Sequence, residues 1–148
     1  MKAIVHEAEA VQLWRERIGE RVRASMASSE MERYFGIKMT IPRARIALGQ
    51  LSLYVRCRRD CWANVLANCA NTSVRQRLLE HEYDELVKDE YSPTGHLDLI
   101  IRQGKLIGLS PDDFLQLRPL TTSLATFYGW KWIAREKPWP EALVAMMA

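Results

Sequence analysis

Between Thr72 and Glu90 the chain reads TSVRQRLLEHEYDELVKDE, and Glu80, Glu82, Asp84, Glu85, Asp89 and Glu90 crowd into its second half. Such a run is ordinarily a solvated helix face, with its acids opposite the leucines. The phase here is different. With Leu78 at zero and about 100° per residue, Glu82 falls near about 40°, Asp89 near about 20° and Glu85 near about −20°. Val74, Leu78 and Leu86 occupy the same arc, with Leu79 at its edge. A buried carboxylate must be paired, protonated or metal-bound, because an isolated buried charge is strongly unfavourable. His96 follows Asp89 by about two helical turns, so one line of the helix carries Glu82, Asp89 and His96 inward. Carboxylates and imidazole at this spacing, facing a helical core, are how iron or manganese is held in helical bundles.

The elements around these residues all read as helices. Thr72 or Ser73 caps the acid helix, which is expected to run to about Glu90 and to lie in the core. Ser92-Pro-Thr-Gly95 breaks it and re-aims His96. Leu97 to Ile107 forms the next helix, ended by Gly108, and Ser110-Pro-Asp-Asp113 starts another with Ser as N-cap and Pro at the first position. Leu120 to Arg135 and Glu141 to Met147 follow. Upstream, Val11, Trp14, Ile18 and Val22 recur at helical spacing between His6 and Ala27, opposite a face of paired Arg and Glu. Glu30 to Phe35 is short, with Tyr34 and Phe35 expected beneath the bundle. Thr40 to Ala70 is long, and its stripe of Ile46, Gln50, Leu53, Tyr54, Cys57, Cys61, Asn64 and Asn68 is polar enough for a cavity wall. Cys57 and Cys61 at i and i+4 suit a small hydrophobic pair better than a metal or redox pair. Arg56, Arg58 and Arg59 are expected on an outer face, with one of them able to meet an anionic substrate. His81, at about −60°, borders the apolar face as a buried or capping residue.

The stretch LVKDEYSPTGHLDLIIRQGKLIGLSPDDF, Leu86 to Phe114, resembles the acid-rich helix of the haem-oxygenase-like superfamily, which includes pyrroloquinoline-quinone synthase, thiaminase-type proteins and non-haem di-iron oxidases and oxygenases. Asp89 and Glu90 fall on the family's acid cluster, His96 on its histidine, Leu99 on the following leucine and Gly108-Leu109 on the closing pair. The resemblance implies an all-α, haem-oxygenase-like helical bundle. It also implies a non-haem iron site, of one or two irons, that acts on a small-molecule substrate with dioxygen. Asp89 and His96 would ligate iron, Glu82 or Glu85 would bridge or stand behind them, and Glu90 would alternate with Asp89. Asp89 stands where the family has Glu, and the family's later ligands would fall beyond Ala148. The expected bundle therefore lacks its last helices, and a homodimer is expected to cover apolar surface between Leu97 and Trp132.

A length of 148 residues suits one helical domain, 1–148, with a proper core. A net charge of +3, scattered among acids, gives no case for nucleic acid. No apolar run reaches the roughly 18 residues of a membrane span, and MKAIVHEAEA has no signal-peptide pattern. Three cysteines without finger spacing suit a reduced, cytoplasmic setting. There is no strand pair, dinucleotide fingerprint, P-loop or G-x-S-x-G. Two functions compete: an iron-dependent oxidase or oxygenase, and a metal-free module of the same fold that binds a small molecule or a protein partner.

Overall fold

Twenty-eight residues of one helix, Ile41–Asn68, make the axis against which the C-terminal two-thirds of the chain packs. The computed structural model describes residues 2–88 and 90–147, with side chains from residue 9 onward. Among these residues there are eight helices and no strand: α1 Lys2–Met26, α2 Ser29–Phe35, α3 Ile41–Asn68, α4 Thr72–Leu86, α5 His96–Leu106, α6 Pro111–Gln116, α7 Thr121–Glu136 and α8 Trp139–Met147. The all-α expectation is met. Contacts group the chain into two units, Met1–Met39 and Thr40–Ala148.

The first unit is α1 followed by α2. Ser28 caps α2, its side chain accepting from the Met31 N–H at 3.3 Å, and Gly36 closes it. On α1, Val11, Trp14, Ile18 and Val22 are exposed. Tyr34 and Phe35 are exposed too and meet edge-to-face at 5.4 Å.

In the second unit α3 touches α4, α5, α7 and α8. Pro42 starts it where a missing N–H costs nothing. Its buried side is Gly49, Ser52, Cys57, Cys61, Trp62 and Val65. Gln50 ties the α6–α7 connection to it, donating to the Arg118 carbonyl and accepting from the Leu120 N–H, each at 3.0 Å. Cys57, Cys61, Trp62 and Val65 form the core with Leu78 of α4, Ala134 of α7, and Ala142 and Met146 of α8. Burial pushes both Cys57 and Cys61 thiols up, Cys61 to about 12, so they stay protonated and pack as small hydrophobes. The Ser110 start is realised as a full capping box with Asp113.

The acid helix differs from its expected form in two ways. It ends at Leu86 rather than Glu90, and its cap is Asn71, whose side chain accepts from the Val74 N–H at 3.1 Å. It is also not the centre of the core: Leu78 is buried, but Leu79 and Leu86 are exposed. The reason is electrostatic. The inward arc of its second half is occupied by Glu82 and Glu85, which reach Arg59 of α3.

Candidate functional site

Two polar clusters flank the α3–α4 contact, and each is organised by one of two adjacent arginines of α3. The first gathers the acids. Arg59 Nη1 lies 2.9 Å from Glu82 Oε1 and 3.3 Å from Glu85 Oε2, and His96 Nδ1 lies 3.0 Å from the same Glu85 oxygen. The side chains of Arg59, Glu82 and Glu85 are 12%, 13% and 17% exposed, that of His96 36%.

His96 reaches Glu85 through Gly95. That glycine has φ 78°, and a Cβ on it would stand 2.7 Å from the Glu85 carbonyl oxygen, so only glycine lets the turn pass this close to the end of α4. Ser92, fully buried, fixes the same turn: its hydroxyl donates to the Gly95 carbonyl at 2.8 Å and accepts from Arg102 Nη2 at 3.0 Å. The turn expected at Ser92–Gly95 is thus present and starts α5 at His96, but the acid helix has already ended at Leu86.

Two carboxylates face one guanidinium here, so the set holds one acid more than Arg59 alone neutralises. Burial raises the Glu82 carboxyl above its ordinary 4.5, against the pull of Arg59 and with the Glu85 charge adding to the rise. Desolvation outweighs the ion pair, which makes Glu82 the group best suited to hold a proton. Metal is a different matter. Arg59 already engages one oxygen of each carboxylate. Among the described residues no three His, Cys, Asp or Glu side chains converge as a metal-binding group. Asp89 lies outside the described residues. Glu90 is exposed beyond the end of α4, off the helix line expected to carry it. The described residues therefore bring Glu82, Glu85 and His96 together around an arginine rather than as a metal-binding group.

The second cluster was not visible in the sequence. A cavity of about 540 Å³ opens between α3, α4 and α8. Trp62, Val74, Leu78, Leu143 and Met147 make its walls apolar, and Arg58, His81 and Arg77 supply its polar groups. Arg77, at the rim, pairs with Glu80 at 3.0 Å. Arg58 stacks over the Tyr54 and Trp62 rings at 5.4 and 5.9 Å. It donates through Nη1 to the Tyr54 hydroxyl at 2.8 Å and through Nη2 to the Met146 carbonyl near the end of α8. His81 stands edge-on to Trp62, centroids 5.3 Å apart. Burial lowers its pKa below 6.5, with Arg59 and Arg58 pushing the same way against Glu85, so it is neutral at pH 7. Arg58 Nε, Trp62 Nε1 and His81 Nε2, together with Arg59 Nε of the first cluster, are buried without a hydrogen-bond partner. Buried polar atoms are nearly always satisfied, and each one left unpaired costs about 1–3 kcal/mol.

The outer-face placement of the arginines is thus corrected: Arg58 and Arg59 are half-buried and point into two different interfaces. The sequence signal for the cavity is the Arg58–Trp62 spacing of four, at which a guanidinium covers a ring on the next turn. No helix among the described residues is long and apolar enough to cross a membrane. No protein-family model matches the chain, and no curated protein matches it.

Proposed function

We propose that this chain is a metal-free, small-molecule-binding helical module of haem-oxygenase-like type, and that the cavity between α3, α4 and α8 is its binding site. One observation carries the reading: three partnerless buried nitrogens, on Arg58, Trp62 and His81, belong to residues lining one apolar cavity. Small-molecule sites are typically about 300–1,000 Å³, apolar, with a few convergent polar groups, and this cavity has that size and make-up. The Leu86–Phe114 pattern and the all-helical fold support the fold assignment. Exposed Leu106, Tyr128 and Trp132 support a homodimer, which sedimentation at micromolar concentration tests.

The test is a neutral apolar fluorophore, N-phenyl-1-naphthylamine. It should bind the wild type saturably, and Leu143→Trp, which fills the cavity, should abolish binding without lowering helicity. Equal binding by both proteins overturns the assignment. The iron-dependent oxidase or oxygenase is the competing reading, favoured by the meeting of Glu82, Glu85 and His96. Iron per chain after anaerobic ferrous loading decides between them. The metal-free reading expects none in the wild type or in His96→Ala. Iron held by the wild type and lost in His96→Ala restores the metal site.

A further inference from the structure

We propose that the cavity takes a monocarboxylate with an apolar tail, its head group at Arg58, Trp62 and His81 and its tail along Val74, Leu78 and Leu143. This rests on the cavity being the binding site and adds the chemistry of what it binds.

The charge comes from Arg58. Its hydrogen-bond partners are a phenol and a backbone carbonyl, both neutral. Among the described residues no carboxylate stands within ion-pair distance of it. Glu82, whose carboxyl feels the Arg58 charge, is itself bonded to Arg59. A half-buried guanidinium with only neutral partners favours an anion, and a single positive charge in an apolar cavity is matched by a single negative one. A dianionic phosphate would bring a second charge, and the other cation of the lining, Arg77, is already paired with Glu80 at 3.0 Å.

The donor geometry points the same way. Arg58 Nε–H and Trp62 Nε1–H can only donate, while His81 Nε2 can donate or accept according to tautomer. A carboxylate offers two oxygens and about four lone-pair positions, enough for all three. An alcohol offers one oxygen, and an ammonium offers only donors. The rest of the wall has no further use for a polar group: Val74, Leu78, Leu143 and Met147 suit an alkyl or aryl tail. The three nitrogens are covered in the ligand-free arrangement, so the head group reaches them by turning the His81 ring away from Trp62. Binding is therefore accompanied by a change at the Trp62 indole.

Titration calorimetry with decanoate, decanol and decylamine, each below its micelle-forming concentration, separates the possibilities. Decanoate should bind at least tenfold more tightly than decanol, and decylamine should bind most weakly. In ¹H–¹⁵N spectra the Trp62 indole N–H, assigned by its loss in Trp62→Phe, should shift on decanoate addition. Arg58→Met should remove the preference for decanoate over decanol. The wild-type series and the indole shift stand as tests even where that variant does not fold. Decanol binding as tightly as decanoate overturns the carboxylate while leaving the cavity as the site. Decanoate preference without any Trp62 indole shift also overturns it, by placing the head group elsewhere. No binding of any of the three compounds overturns the cavity reading and this inference together.

Discussion

Arg58 and Arg59 are neighbours in sequence and opposites in circumstance. Arg59 points to the second half of α4 and spends its charge on Glu82 and Glu85, with His96 closing the set. Arg58 lies over the Tyr54 and Trp62 rings of its own helix, bonds the Tyr54 phenol and the Met146 carbonyl of α8, and meets no acid among the described residues. The first cluster meets its cation with acids of the chain itself, so it holds helices together. The second has a cation with no counter-charge beside an apolar cavity, so it can recognise something from outside. What distinguishes a structural ion pair from a recognition site is whether the chain itself supplies the counter-charge.

The largest effect should come from removing the cation of the first cluster. Arg59→Met strands two mostly buried carboxylates, and breaking such a pair costs about 3–5 kcal/mol. Urea unfolding should show a loss of that order. A loss no greater than that of a surface arginine would mean that the cluster is solvated and the comparison wrong.

Next comes the turn that brings His96 in. Gly95→Ala forces a side chain onto φ 78° and against the Glu85 carbonyl at 2.7 Å. Left-handed strain of about 1–2 kcal/mol adds to overpacking of about 1–3 kcal/mol. Thermal melting should drop accordingly, and the His96 imidazole resonances should move as its contact with Glu85 is lost. Unchanged imidazole shifts would separate the turn from the cluster.

Arg58→Met should cost less than Arg59→Met, about 1–2 kcal/mol, because it frees a phenol and one carbonyl rather than two charges. Urea titration of the two variants side by side tests the central contrast directly. Equal losses would erase it.

The smallest effects are in pH dependence, and the two clusters should have opposite signs. Glu82 has its folded pKa raised above 4.5, chiefly by burial, so the folded state holds its proton longer than the unfolded state. Its contribution is complete below 4.5 and is lost as pH rises through the raised value. Glu82→Gln should flatten stability across that window. His81 has its folded pKa lowered below 6.5, again chiefly by burial, so the unfolded chain protonates first. Its contribution is present above 6.5 and is lost as pH falls through the lowered value. His81→Gln should flatten that slope. Calorimetric melts across pH 4 to 8 read both, and slopes of the same sign would contradict the assignments.

Much of this protein is written locally. Pro42, Gly36, Ser110-Pro111 and Ser92–Gly95 mark helix ends because their backbone limits and hydrogen-bonding side chains act within a few residues. Helical class follows from periodicity over one turn, and so does the inward phase of Glu82 and Glu85, which the structure places in a mostly buried contact. The tertiary structure alone decided what those acids meet. Arg59 is 23 residues from Glu82, and no local pattern chooses between a guanidinium, a proton and a metal as the partner of a buried carboxylate. It also decided that α3, not α4, is the axis, because that depends on how many neighbours each helix face finds. Arg58 and Arg59 differ by about 100° around α3. That rotation becomes an ion pair on one side and an open cavity on the other only once α4 and α8 are laid against it.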